Sequence, residues 1–145
     1  MVFEEEKIYP RVSANVFILD EHGYILLTRR GVEPYKDYWV IPGGHVKQEE
    51  AVDAAKREMY EELDVHVEID RLYGVYANLN KDPRRKTLSI FYVGKLLPGQ
   101  EMSPTIEVSE QKFFPLDKLP KDIGFNHKEI LDEFRKHPEG QSLSK

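Results

Sequence analysis

Residues 43–65 read GGHVKQEEAVDAAKREMYEELDV. The segment gathers Glu49, Glu50, Glu58, Glu61 and Glu62 around a single Arg57, directly after the turn Pro42-Gly43-Gly44. On an α-helix each residue advances about 100°, so Glu58, Glu61 and Glu62 share an arc of about 100°. Glu58 and Glu62, one turn apart, stack on one face. Two carboxylates about 5 Å apart repel by roughly 3 kcal/mol at an effective dielectric of about 20. A cation among them relieves that repulsion, and all-oxygen donors suit a hard divalent ion such as Mg²⁺ or Mn²⁺.

The same helical wheel sets Ala55, Met59, Val52 and Leu63 in an apolar arc beside the acids, with Lys56, Tyr60, Asp53 and Arg57 outermost. The carboxylates therefore border the buried side instead of lying opposite it. Ala51 and Ala54 fall within or beside the acidic arc and leave room for a loop, an ion or a phosphate. The competing reading is a solvated acidic face, the usual fate of a charge run. Spacing alone leaves both open.

Outward from this segment, 145 residues suit one domain, 1–145, with a core of its own. No secretory segment and no apolar run of about 18 residues is visible. With no such signal the cytoplasm is the expected compartment, and no membrane partner is implied. Zero cysteines exclude disulfides, thiol catalysis and cysteine–metal sites. A net charge of −5 argues against a nucleic-acid polymer as ligand. A small phosphorylated ligand remains compatible, because a divalent ion offsets both the acids and the phosphates.

Pattern and turn residues predict strands over 11–20 and 24–30, joined as a hairpin through Glu21-His22-Gly23. A polar loop follows over 31–37, then a short strand over 39–41. The helix spans 49–63, strands follow over 65–69 and 72–76, a basic loop covers 78–86, and a long strand 87–97. Residues 107–116 return as a strand, and 126–136 form a last helix with Asn126 as N-cap. Residues 138–145 read as a flexible tail. This order predicts an α/β or α+β sandwich, a mixed β-sheet flanked by helices.

The opening segment resembles the Nudix box, G-x5-E-x7-R-E-U-x-E-E-x-G-U, with U aliphatic. Glu49, Arg57, Glu58, Met59, Glu61, Glu62 and Val65 match its E, R, E, U, E, E and U, and residues 39–44 resemble the W-x-x-P-G-G entry. Two departures stand out. The loop before Glu49 is one residue short, and Asp64 replaces the late glycine, in a conformation Asp tolerates. The resemblance implies the Nudix fold and a phosphoanhydride hydrolase using Mg²⁺, with Mn²⁺ as substitute.

It further implies Glu58 and Glu62 as metal ligands, with Glu61 direct or through water, and a backbone carbonyl of Gly43 or Gly44. Arg57 would orient the glutamates and Glu49 would brace the loop against it; an ordinary surface ion pair is the alternative for these two. Glu107, ahead of Glu110, is the further base or ligand, in a stretch similar to the family's E-x-x-E-x-x-W-F strand. For the substrate, Arg30, Tyr38 and Arg84 are the expected contacts. Tyr35, Tyr73 and Tyr76 are further stacking candidates, and Arg29, Arg85 and Lys86 further cations.

Lys81-Asp82-Pro83-Arg84 and Phe125-Asn126-His127 resemble stretches of ADP-ribose pyrophosphatases in the family, with Lys81, Lys86 and Asn126 as substitutions. The expected partner is therefore a nucleoside diphosphate derivative, ADP-ribose first. A house-cleaning nucleoside triphosphate pyrophosphohydrolase is the rival, and a non-catalytic nucleotide sensor the rival of another class. The isomerase branch of the fold uses a cysteine, which this chain lacks. Family members often dimerise, which leaves a homodimer open.

Overall fold

A computed structural model describes residues 9–78, 82–103 and 105–143. The elements run β1 (Arg11–Ile18), β2 (Ile25–Arg30), β3 (Trp39–Val40), β4 (Gly43–His45), α1 (Ala51–Leu63), β5 (Val67–Asn78), β6 (Thr87–Leu96), β7 (Val108–Phe114) and α2 (His127–Lys136). They form two sheets where the sequence predicts one. A mixed four-stranded sheet has the order β4-β1-β6-β5, and an antiparallel three-stranded sheet the order β3-β2-β7. β1 runs parallel to β6 and antiparallel to β4.

The expected hairpin between the first two strands is not made. β1 and β2 belong to different sheets, and their backbones pair only at the bridge Leu19↔Ile25. The turn itself is as read: Asp20 Oδ1 accepts the His22 and Tyr24 N–H groups at 2.9 Å each, and Gly23 takes φ 76°. Both strands are buried along most of their length. Each therefore has two faces to cover and passes through the middle of its own sheet.

Alternation along β1 explains the layers. Ala14, Val16 and Ile18 face Ala54, Ala55, Met59 and Leu63 of α1 in one core. Phe17 faces the other way, with Phe91 of β6 and Ile130, Leu131 and Phe134 of α2. Phe17 stacks on Phe134 at 4.3 Å and on Phe91 at 5.5 Å between ring centres. On this second face the strands turn polar toward one end: Ser13 and Asn15 on β1, Thr87 and Ser89 on β6. The Ser13 hydroxyl donates to Ser89 at 2.9 Å and the Asn15 amide to Ser13 at 3.1 Å. That polar end leaves a cavity.

α1 begins two residues later than predicted. Glu50 is its N-cap but makes no side-chain capping bond. At its other end Asp64 adopts φ 57°, ψ 41°, the left-handed conformation expected of the replaced glycine, and its N–H donates to Tyr60 O. Asn126 precedes α2 but makes no side-chain cap either; its Oδ1 is buried without a partner.

The two predicted strands over 65–76 are one strand, β5, whose register against β6 shifts between Ile69 and Arg71 and between Leu72 and Gly74. Each bulge reverses the in–out alternation and makes one strand read as two. Tyr73 and Tyr76 face α2, not a ligand space: the Tyr73 hydroxyl donates to His137 O at 2.8 Å, and the Tyr76 hydroxyl bonds the Glu133 carboxylate. The tail after α2 is not loose over 138–141. Arg71 bonds the carbonyls of Pro138 and Glu139, and the Gln141 side-chain amide pairs with both the N–H and the C=O of Val75 at 2.9 Å. Among the described residues no helix is long and apolar enough to cross a membrane.

Candidate functional site

Arg57 is the hub of the acidic segment. Its Nε and Nη2 donate to the two Glu49 oxygens at 2.9 and 2.8 Å, as a bidentate fork. Nη2 also donates to His45 O at 2.9 Å. Nη1 donates to Glu58 Oε1 at 2.9 Å and to both Glu61 oxygens at 3.1 Å. The helical wheel sets Arg57 on the outer arc, but its long side chain folds back to tie α1 to β4 and to the short loop. That loop closes through the Lys47 N–H on Glu49 Oε2 at 3.0 Å. The Arg57 hydrogen bonds, with the Lys47 N–H, hold the Glu49 carboxyl down at about 2. Arg57 itself is raised, first by Glu49.

Two of the box carboxylates, Glu58 and Glu62, lie inward. Glu58 sits over Gly44: a Cβ there would come within 2.2 Å of Glu58 Cδ. Burial raises the Glu58 pKa against the opposing pull of Arg57. Glu62 is buried, 8% exposed. Its pKa is pushed well up, by burial first, then by Glu58 and Glu107, with Arg30 and the Gly43 N–H opposing. Gly43 approaches β1 so closely that a Cβ would stand 2.3 Å from Ala14 O.

The β1–β4 register separates the two glycines. Val16 N–H bonds Pro42 O and Val46 N–H bonds Val12 O, with Ala14 opposite Gly44 and Asn15 opposite Gly43. In an antiparallel ladder bonded and non-bonded pairs alternate, so Gly44 spends its carbonyl on Ala14. The carbonyls of Gly43 and His45 point away from β1, and Arg57 takes that of His45. Of the two backbone candidates, Gly43 is the one with a carbonyl to offer.

These elements wall a cavity of about 370 Å³. Ser13, Asn15, Thr87 and Ser89 line it from the mixed sheet, and Thr28 and Arg30 from β2. Glu58, Glu61 and Glu62 come from α1, Glu107 from the turn before β7, Asp82 and Arg84 from the loop before β6, and Phe125 and His127 from the start of α2. Six acidic side chains, counting Glu33, face three basic ones, Arg30, Lys47 and Arg84. Arg30 is held from behind. Its Nε donates to Pro34 O at 2.6 Å, and its guanidinium lies 5.3 Å from the centre of the Phe125 ring. Burial, then Arg84, lowers its pKa.

Arg30, Gly43, Gly44, Glu58, Glu61, Glu62, Arg84 and Glu107 thus share one space, with Glu49 and Arg57 bracing it from behind. Tyr38 is not brought in: it is 39% exposed, with its ring edge-on to Tyr35 at 5.4 Å. Arg29 pairs outside with Glu110 at 3.5 Å, and Arg85 and Lys86 do not line the cavity. Lys81 lies outside the described residues.

The sequence reading assigns no role to Asp82, Phe125 or His127. Ile41 N–H donates to His127 Nδ1 at 3.0 Å, so the proton of the neutral ring sits on Nε2. Burial, then Arg30, drops the His127 pKa to about 3. The available signal is the run Phe125-Asn126-His127 at a helix start, together with polar residues interrupting otherwise apolar strands at Ser13, Asn15, Thr87 and Ser89.

The donor set suits a hard divalent ion: carboxylate oxygens, a backbone carbonyl, and a buried Glu62 with more negative neighbours than positive ones. Among the described residues no three acidic or imidazole side chains stand ready as a cage. Glu58 and Glu61 are hydrogen-bonded to Arg57 instead.

Comparison with known proteins follows the same lines. The family pattern of the NUDIX domain matches residues 9–134. The ADP-ribose pyrophosphatase of Methanocaldococcus jannaschii is 31% identical over 134 residues, 92% of this chain and 78% of its own. The human diphosphoinositol polyphosphate phosphohydrolase 3-alpha is 40% identical over 138 residues, 92% of this chain and 82% of its own. The crystal structure of an ADP-ribose pyrophosphatase from Streptococcus suis superposes with a TM-score of 0.73 at 26% identity, covering 92% of this chain and 96% of that one.

Proposed function

This chain belongs to the NUDIX domain family and is a hydrolase of pyrophosphate bonds, and from that premise we propose that it cleaves ADP-ribose, or a closely similar nucleoside diphosphate derivative, with Mg²⁺. The observation behind the reading is the stripe of Glu58, Glu61 and Glu62, tied to β4 by Arg57 and facing Arg30 and Arg84 across one cavity.

In this reading Glu58 and Glu62 would hold the ion with the Gly43 carbonyl, and Glu61 would assist. A bound divalent ion neutralises the diphosphate and makes a water a better nucleophile at neutral pH. Arg30 and Arg84 bind phosphate oxygens. Glu107, beside Glu62, accepts the proton of the attacking water at a carboxylate oxygen. The water oxygen bonds to phosphorus as the bridging P–O bond breaks, releasing AMP and ribose 5-phosphate. Arg57 and Glu49 keep the carboxylates oriented throughout.

The human relative's name raises a second substrate, a diphosphoinositol polyphosphate. Six acids against three bases along the cavity argue for a short linear diphosphate instead of a ring crowded with phosphates. A product-resolved panel tests the proposal. AMP plus ribose 5-phosphate from ADP-ribose, abolished by EDTA, is the expected result. A nucleoside monophosphate plus pyrophosphate as the dominant product would instead favour the triphosphate reading, and inorganic phosphate from diphosphoinositol polyphosphates the second substrate. Tight nucleotide binding without turnover in saturating Mg²⁺ or Mn²⁺ would favour a sensor.

A further inference from the structure

Arg84 is aimed by its own loop. Asp82, with a side chain 4% exposed, receives the Arg84 backbone N–H and Nε on Oδ1 at 3.0 Å each, and Nη2 on Oδ2 at 2.9 Å. The first bond closes an Asx-type turn around Pro83; the other two form a planar fork. A guanidinium has five N–H groups. Two are spent on Asp82 and three remain for the cavity.

The arrangement answers a specific problem. Arg30 and Arg84 line the same cavity, and Arg84 disfavours the charge of Arg30. Arg30 cannot turn away, because Pro34 O and Phe125 fix it. Arg84 sits on a loop, is 38% exposed, and without a counter-charge would swing to solvent. A buried carboxylate behind it keeps it inside.

We propose that Asp82 is a positioning residue for substrate binding: it holds Arg84 beside Arg30 so that the two guanidinium groups grip the substrate's diphosphate together. It acts through Arg84 and does not touch the phosphates, whose charge it would repel. This rests on the reading that a diphosphate occupies the cavity.

Asp82→Asn keeps an acceptor for the Arg84 N–H and removes the charge. Its KM for ADP-ribose is expected to rise about tenfold while kcat changes less than about threefold, the pattern of lost binding without lost chemistry. In an Arg84→Ala background the same change is expected to move KM by less than about twofold, because residues acting as one unit do not add. Asp82→Glu retains the charge, tolerates the loop and shifts the fork, and its KM is expected to fall between the two. An unchanged KM in Asp82→Asn, an equal rise in the Arg84→Ala background, or a fall in kcat alone overturns the proposal. If the unaltered protein leaves ADP-ribose intact, the substrate reading fails by itself. The same variants are then read by calorimetric binding of inorganic pyrophosphate with Mg²⁺, where the same ordering of Kd is expected and its absence overturns the clamp.

Discussion

Glu62 is a carboxylate placed where a carboxylate does not belong unless something positive joins it. Its folded pKa is raised by burial and by Glu58 and Glu107. A raised carboxyl stabilises below its unfolded value of 4.5, and that stability is lost as pH rises through the folded value. At neutral pH without a divalent ion the group is a liability. Glu62→Gln is therefore expected to melt at or above the unaltered protein in EDTA; a clear drop in melting temperature would show that the ionised form is already satisfied.

His127 has the opposite sign. Its pKa falls from 6.5 to about 3, so the unfolded chain takes up the proton first and stability is lost as pH falls below 6.5. Each pH unit in that window costs about 1.4 kcal/mol. Glu49, lowered from 4.5 to about 2, adds a second loss that begins only below 4.5. Urea titrations from pH 7 to 5 should show the first limb, and His127→Gln, which keeps an acceptor for Ile41 N–H, should flatten it. An unchanged slope would contradict the buried neutral ring. At this scale the box residues were legible because their spacing is fixed along one helix. Asp82 and His127 stood in the sequence only inside runs similar to the family's, without a role, since only the folded chain brings residues 82 and 127 to one cavity.

The joint between β4 and α1 depends on two glycines that do different things. An added Cβ at Gly44 meets the end of the Glu58 side chain, which can rotate. At Gly43 it meets the backbone of Ala14, which cannot. Gly44→Ala should therefore fold normally and lose at least about tenfold in turnover as Glu58 is displaced. Gly43→Ala should lose about 2 kcal/mol or more of stability. Thermal melts beside kcat separate the two effects, and the reverse assignment would contradict the geometry. Helix α1 was legible as an element because Ala55, Met59 and Leu63 repeat at the helical period. The split of β1 and β2 between two sheets was not: a turn residue such as Gly23 fixes a reversal, not which strands pair after it. The two bulges hid the continuity of β5 for the same reason, by breaking the alternation on which strand reading depends.

At the scale of the molecule, β5 is an edge strand of the mixed sheet, and the chain's own C-terminal segment covers its middle. An uncovered edge is a template for pairing with another copy. Ending the chain after His137 removes the Gln141 and Arg71 bonds and is expected to cost about 1–3 kcal/mol. Melting curves and sizing at two concentrations would detect both the loss and any new self-association; an unchanged melt would mean the segment only rests on the edge. The polar amino acids of 138–145 made a frayed tail the natural reading, because a glutamine amide that mimics a strand leaves no periodic trace.

The central proposal is that the acidic stripe of α1 serves a divalent ion and a diphosphate, not solvation. The most direct test is ADP-ribose hydrolysis across a Mg²⁺ titration, with AMP and ribose 5-phosphate resolved, for the unaltered chain and for Glu62→Gln. The expected result is turnover that needs Mg²⁺ and falls by about a hundredfold or more in Glu62→Gln. Full activity of Glu62→Gln, or turnover in the unaltered protein that persists in EDTA, would contradict the account.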